Sequence, residues 1–341
     1  MKTLLETKRL ILRPLAQDDF PEAHAWASHP ENTRLMKWGP NTEEQTRDFL
    51  NKAKPGIDFA IVAKPARAAI GSCRLHPDLA RGTGEAGWIL HRDYWKKGYG
   101  TELCGELIRY GFEDLKLRRI IAECASANYG SRRVMERNAM RREAAYVRAF
   151  WARADREWID AAGYAILAEE WETCKEIAYY NALPVEFHGF IEVPELTDGV
   201  IRLVCTAKKP AIPAKRYVPA YEFAVCHGGE KAGEINLRIG YAGFGPDSSS
   251  LYYGGQIGYG INENYRGLGY AGRACRLLLP VARAHRMTKL LITNAADNGA
   301  SRRVCEKLGL KHVRTALLPE WHDLYQEGQR FQNIFEWDVE C

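Results

Sequence analysis

The chain repeats itself, and the repeat is what most limits the folds open to it. Residues 87–103 read GWILHRDYWKKGYGTEL and residues 258–274 read GYGINENYRGLGYAGRA. Setting Trp95 against Arg266, 171 residues apart, brings Tyr94 onto Tyr265, Gly98 onto Gly269 and Tyr99 onto Tyr270. Downstream, NYGSRRVMERNAM (128–140) matches NGASRRVCEKLGL (298–310) at a separation of 170. Two blocks in the same order at nearly the same spacing indicate a duplicated domain. A length of 341 residues suits two cores better than one.

Both halves carry the same pattern. Alternating segments such as DFAIVAKP (58–65) and YEFAVCH (221–227) predict half-buried strands. After each glycine turn a helix is expected, with Leu103, Leu107, Tyr110 and Leu115 at helical spacing in the first copy. In the second copy Pro280 should kink or shorten that helix. A strand follows in each half, RRIIAECAS (118–126) and KLLITNAA (289–296), then a short helix from Ser131 or Ser301. These elements make an α+β domain in which the glycine turn joins a strand to a helix.

The first domain is expected over 1–172, closing with the strand AGYAILAEEW (162–171). An irregular linker covers 173–198, and the second domain, 199–341, opens with VIRLVCTA (200–207). One asymmetry stands out. The first copy places DDFPEAHAWASH and NTEEQTRDFLNKA, two predicted helices, between its opening strand and DFAIVAKP. The second has only KKPAIPAKRYVPA there, too short for a helix pair.

Composition narrows the function classes. Apolar residues make up 46% and charged residues 27%, the balance of a globular chain. A net charge of +5 without a concentrated basic patch argues against a nucleic-acid partner. The nine cysteines are scattered with no C-x-x-C, which gives no support to a metal site and suits a reducing, cytoplasmic setting. The opening MKTLLETKRLILRPL alternates and carries charge, unlike a signal peptide, and no stretch approaches the ~20 apolar residues of a membrane span. No membrane partner is therefore expected.

A strand running into a glycine turn and then a helix aims several backbone N–H groups at one point, where the helix dipole adds positive charge. Such a turn is either a plain turn or a phosphate site. Gly267-Leu-Gly269-Tyr-Ala-Gly272 satisfies G-x-G-x-x-G, but the dinucleotide reading fails on context. Several strands precede the turn, the first copy has Leu103 at the third glycine, and no acidic residue ends the next strand.

Both halves resemble the GNAT superfamily of acetyl-CoA-dependent N-acetyltransferases, whose cofactor motif is [Q/R]-x-x-G-x-[G/A]. Arg266-Gly267-Leu268-Gly269-Tyr270-Ala271 matches throughout; Trp95-Lys96-Lys97-Gly98-Tyr99-Gly100 departs at its first position. The first half further resembles the ribosomal-protein N-terminal acetyltransferase group in TKRLILRPL, GEAGWIL, the N-x-x-S block and the closing Y-A-I-L-A-E-E-W. The resemblance covers nearly all of 1–172 and, more loosely, 200–340. It implies two tandem domains, each a mixed, mostly antiparallel sheet flanked by helices. Acetyl-CoA is the implied cofactor and an amine-bearing acceptor the implied partner, with a monomer acting as a pseudo-dimer or a homodimer as the assembly.

The resemblance also assigns residues. Pantetheine would pair with the strand before each turn at Leu90 and Ile261. Pyrophosphate would lie over Lys96, Lys97, Gly98, Tyr99, Gly100 and Thr101, and over Gly267, Leu268, Gly269, Tyr270, Ala271 and Gly272, with Arg266 completing the second motif. Asn128 and Asn298 would bond the pantetheine arm. The general base would be Glu85, on the same strand face as Gly87 and Ile89; the other reading is a solvated glutamate. The second copy has Gln256 there, which cannot accept the proton. The tyrosine acid of many relatives is replaced by Met135 and Cys305, which points to Ser131 and, by extension, Ser301; a serine at a helix start is equally an N-cap. His91 reads as structural, and Phe150, Trp151 and Trp158 as either packing or acceptor-pocket walls. The expected function is acetyl transfer to a primary amine, with the first domain the catalyst; the alternative is a non-catalytic acyl-CoA-binding sensor or scaffold.

Overall fold

A computed structural model describes residues 4–339 other than 216, 242–249 and 321. The chain divides into two compact units, Met1–Cys174 and Lys175–Cys341.

The first unit is one eight-stranded sheet. Its strands are β1 (Leu5–Glu6), β2 (Leu10–Pro14), β3 (Asp58–Ala63), β4 (Ala69–Asp78), β5 (Thr83–Leu90), β6 (Arg119–Ala125), β7 (Arg141–Ala152) and β8 (Glu157–Leu167). The order is β1-β2-β3-β4-β5-β6-β8-β7, antiparallel except where β5 meets β6. One face carries α1 (Phe20–Ala27), α2 (Pro30–Thr33) and α3 (Glu43–Asn51), around Trp26, Leu50 and Ile89. The other carries α4 (Tyr99–Arg109) and α5 (Tyr129–Arg137), with Leu103, Leu107 and Met135 packed on Leu75, Ala86 and Leu90. Helix α3 starts where it does because Thr42 and Gln45 form a capping box, each side chain accepting from the other's backbone N–H.

The expected closing strand ends early. β8 stops at Leu167, and Ala168–Asn181 is a helix, α6, within which the division between units falls. The cause is local: Glu169 and Glu170 favour a helix N-terminus, and the Glu170 carboxylate accepts from Leu167 N at 2.8 Å. Residues 175–181 belong to the second unit's fabric. Tyr180 is buried in its core and donates to Glu336 at 2.7 Å, and Glu176 accepts from Arg314 at 2.7 Å.

The second unit repeats the sheet. Its strands are β9 (Leu196–Thr197), β10 (Arg202–Lys209), β11 (Ala220–His227), β12 (Glu230–Arg238), β13 (Ile257–Ile261), β14 (Lys289–Ala295), β15 (Lys311–Leu317) and β16 (Phe331–Asp338). The order β15-β16-β14-β13-β12-β11-β10-β9 mirrors the first, and again only one pair, β13 with β14, is parallel. Its helices are α7 (Ser250–Gly254), α8 (Tyr270–Leu277), α9 (Leu279–Ala284), α10 (Gly299–Lys307) and α11 (Asp323–Gln326). α8 and α9 are one helical stretch broken at Leu278, where Pro280 removes an amide donor. Among the described residues the short connection 210–219 holds no α-helix, whereas α1–α3 occupy the corresponding connection in the first unit.

Among the described residues no helix is long and apolar enough to cross a membrane, and no cluster of His, Cys, Asp and Glu could hold a metal ion.

Candidate active site

Each sheet opens into a fork at its parallel junction. β5 and β6 pair at Thr83↔Arg119, Gly84↔Ile120 and Glu85↔Ile121, and residues 86–90 continue without β6. β13 and β14 pair only at Ile257↔Ile292. A β-bulge on the neighbouring strand sits beside each fork, at Ile70 in β4 and Ala232 in β12. The bulged carbonyls accept from His91 N at 2.8 Å and from Asn262 N at 2.9 Å, so both strands turn away at the same point. The glycine after each bulge, Gly71 or Gly233, lies against the fork strand. A Cβ there would stand 2.1 Å from Ile89 O or 2.3 Å from Gly260 O. Sequence reading missed these glycines; the signal was the shared G-x-x-x-L of AIGSCRL and KAGEINL.

The turns between fork strand and helix have the geometry an anion needs. Gly98 (φ +80°) and Gly269 (φ +79°) take left-handed conformations at the N-caps of α4 and α8, and Gly267 (φ +81°) does so two residues earlier. Lys96 occupies the Gly267 position in the first unit at φ +59°. Tyr99, Gly100 and Thr101 form the first turn of α4, where Gly100 leaves only 3.0 Å between a would-be Cβ and Val134. Lys96 and Lys97 are exposed on the turn.

The departure at Trp95 has a chemical equivalent. The Trp95 indole N–H donates to Leu90 O at 2.8 Å, and the Arg266 guanidinium donates to Ile261 O at 3.2 Å. In both units the motif's first position supplies an N–H donor to the carbonyl five residues earlier, from an indole in one and a guanidinium in the other. Asn32 donates to the same Leu90 carbonyl at 2.7 Å. That oxygen is therefore committed within the protein, and any ligand pairing at Leu90 must use other backbone groups.

A second device holds each turn down. Glu102 on α4 accepts from the Thr7 hydroxyl (2.6 Å), Arg9 N (2.7 Å) and the Arg9 guanidinium (2.6 Å), while Arg9 also donates to Lys97 O at 2.9 Å. Partial burial pushes the Glu102 carboxyl up, but these hydrogen bonds outweigh it and hold the carboxyl below its ordinary range. In the second unit the polarity is reversed, with Arg273 on α8 donating to Asp198 at 2.7 Å.

In the second unit these parts line an open cleft of about 1350 Å³. It is lined by Ile261, Arg266, Gly267, Leu268, Gly269, Tyr270, Ala271, Gly272, Asn298 and Ser301, so the structure gathers every cofactor residue expected there.

Asn128 and Asn298, not the serines, cap α5 and α10. Their side-chain oxygens accept from Ser131 N and Ser301 N, each at 3.0 Å. The N-cap reading of the serines is thus corrected: each lies one turn inside. An asparagine three residues ahead of a helical N–H is the better-placed acceptor. The Ser301 hydroxyl pairs with Tyr259 OH at 2.9 Å; Trp88 stands at the corresponding place in the first unit.

Glu85 sits on the last paired rung of the first fork, exposed, and its neighbour Ala86 faces the α4 core. It therefore lies on the α1–α3 face with Ile89, whereas Ser131 belongs to the α5 layer opposite. The fork is the gap between these faces. Directly across from Glu85 on β4 is His76, in contact with Arg74 at 3.3 Å. Glu123 occupies the same face on the β6 arm, 3.5 Å from Lys37. Neither His76 nor Glu123 was singled out from sequence, because only the register reveals them as neighbours of Glu85. Gln256 has a different role. It is fully buried, accepts from Leu291 N at 2.6 Å and donates to Gly240 O at 3.0 Å. His91 accepts from Asp93 N at 3.3 Å in a tight turn, a structural task. Phe150 is buried, and Trp151 and Trp158 form an exposed pair 5.5 Å apart.

The sequence model of the Acetyltransferase (GNAT) domain matches residues 9–141 and again 186–311. The chain belongs to the GNAT acetyltransferase family. It is 32% identical over 169 residues to the N-acetyltransferase YnaD of Bacillus subtilis, covering 49% of this chain and 98% of that one. It is also 32% identical over 151 residues to the N-acetyltransferase p20 of Bacillus licheniformis, covering 42% and 84%. A solved GNAT-family acetyltransferase from Bacillus anthracis shares 34% identity and covers 49% of this chain and 99% of that one, with a TM-score of 0.46. This GNAT protein is thus an acyltransferase with the family fold present twice, once in each unit.

Proposed function

We propose that the first unit transfers an acetyl group from acetyl-CoA to a primary amine, with Glu85 as the base, and that the second unit binds CoA without an equivalent base. The observation carrying this reading is the contrast at one aligned position of the repeat. Glu85 is exposed at the mouth of its fork, while Gln256 is sealed and its amide is spent on Leu291 and Gly240.

The residues present fit the cofactor. Left-handed glycines at two helix N-termini, each next to a fork strand, can take a pyrophosphate and an extended arm, and the second unit's cleft is large enough for both. Bound acetyl-CoA supplies an activated acyl carbon and a thiolate leaving group. Backbone N–H groups at 96–101 and 267–272 would bind the phosphates. Asn128 and Asn298 have their amide N–H groups to offer the arm, since their oxygens cap helices. In this reading Glu85 would take the proton that keeps the amine from attacking, and Ser131, in the α5 layer, would supply a proton to the thiolate. The likeness of the first unit to the ribosomal-protein N-terminal group makes a peptide N-terminus one acceptor class, with small-molecule amines the other. One relative, the FsC-acetyl coenzyme A-N(2)-transacetylase of Aspergillus fumigatus, is 29% identical over 145 residues, 38% of this chain and 62% of that one.

CoA release across a panel of peptides, amino sugars, polyamines and amino acids tests the reading, with Gly98→Glu and Gly269→Glu blocking the turns separately. Turnover should vanish in Gly98→Glu and survive in Gly269→Glu. Loss confined to Gly269→Glu would assign catalysis to the second unit. Acetyl-CoA binding without turnover on any amine would favour the sensor or scaffold. A finer check uses the motif's first position. Arg266→Gln should keep the second unit's CoA affinity, whereas Arg266→Leu should weaken it about two- to tenfold in a calorimetric titration, the worth of one hydrogen bond.

A further inference from the structure

An ammonium group already sits on the face of the first unit that carries Glu85. Lys37 Nζ lies 3.5 Å from the Glu123 carboxylate and 3.8 Å from the centre of the Phe150 ring. A carboxylate combined with an aromatic face is a receptor for an alkylammonium ion: one supplies charge, the other a ring quadrupole. The receptor half is fixed. Phe150 is 7% exposed and packs among Ala125, Ala161, Leu35 and Ile159. Glu123 stands on a sheet strand, two residues beyond the last rung of the fork. The occupant is not fixed, because Lys37 reaches in on a flexible stem with its side chain 56% exposed.

The spacing says what such a receptor would hold. Two residues along a strand place Glu123 about 7 Å past the level of Glu85, on the same face. An ammonium bound by carboxylate and ring is stabilised in its protonated form and is a poor nucleophile there. The cage therefore suits a cation that does not react, while a second nitrogen reaches Glu85. In the second unit Thr293 takes the place of Glu123.

We infer that Glu123 and Phe150 form a specificity subsite for a second cationic group on the acceptor, and that Lys37 occupies it until substrate enters. The acceptor class is then an amine carrying another ammonium four or five carbons away, an inference that rests on the first unit being the amine acetyltransferase.

The test compares 1,4-diaminobutane with n-butylamine on the full chain. The native protein should prefer the diamine in kcat/KM by about tenfold. Glu123→Gln should erase that preference while leaving n-butylamine turnover unchanged, and Phe150→Leu should reduce it. Lys37→Ala should lower KM for the diamine several-fold at constant kcat. Preference surviving in Glu123→Gln, or a diamine KM unmoved in Lys37→Ala, would overturn the subsite. Calorimetric binding of the two amines to native protein and Glu123→Gln separates the two readings. Selective diamine binding without turnover sinks the catalytic assignment alone, and turnover without selectivity sinks the subsite alone. Thermal melting of each variant shows that the fold is intact.

Discussion

Replacing Glu85 by Gln is expected to lower kcat for amine acetylation by about a hundred- to ten-thousand-fold, the usual worth of a positioned general base. The change keeps the side chain's size and one hydrogen-bond acceptor, and removes only the ability to take a proton. Because Glu85 is exposed and its neighbours Ala86 and Ile89 carry the packing, stability should scarcely change. Acetyl-CoA affinity should be retained, since the turn at 96–101 is untouched. The deficit should shrink as pH rises from about 7 toward the amine's own pKa near 10, where deprotonated acceptor is supplied by solvent. Steady-state rates of the native protein and the variant across that range, with the product identified by mass spectrometry, provide the check. A kcat within threefold of native would remove Glu85 as the base. His76, its direct cross-strand partner, would then be the next residue to replace.

The second large effect is structural and falls on both units. Gly71→Ala would place a methyl 2.1 Å from Ile89 O and 2.9 Å from Leu90 Cα; Gly233→Ala would place one 2.3 Å from Gly260 O and 3.1 Å from Ile261 Cα. These neighbours are backbone, not the ends of flexible side chains, so the fork strand itself must move. Overpacking of this kind costs about 1–3 kcal/mol, and the upper end is expected where ladder hydrogen bonds resist the shift. For a unit of this size about 3 kcal/mol corresponds to a melting shift of roughly 6–12 °C. In the proposed binding mode the displaced strand would flank the cofactor arm, so cofactor affinity should fall together with stability. Gly71→Ala should then suppress turnover, and Gly233→Ala should weaken CoA binding to the second unit. Calorimetric melting, with hydrogen exchange of the 86–90 and 257–261 segments, measures both. Unchanged exchange at the fork in either alanine variant would show that the strand tolerates the methyl.

The amino-acid sequence by itself determined the duplication, the alternation that makes the sheets and the glycine turns. These are local: a left-handed residue at Gly98 or Gly269, or a helix interrupted near Pro280, depends on atoms a few residues away. It also placed Glu85 on the correct strand, since alternation assigns faces without any partner being known. It misjudged AEEW as strand because an alternating tail and a helix start look alike until Glu170 is seen accepting from Leu167 N. It misread the serines as caps for a related reason: two candidate acceptors three residues apart compete, and geometry favours Asn128 and Asn298.

Only the tertiary structure decided what surrounds the fork. The pairing of His76 with Glu85 depends on β4–β5 register. The Glu123–Lys37–Phe150 contact joins residues 86 and 113 positions apart. The equivalence of Trp95 and Arg266 appears only when both N–H groups are found on the fork strand's last carbonyl. The contrast between the repeats has the same origin. Glu85 and Gln256 occupy aligned positions of the repeat, yet Glu85 is left exposed while Leu291 N and Gly240 O seal Gln256. Whether a side chain is available for chemistry depends on what folds over it, and chain neighbours do not encode that.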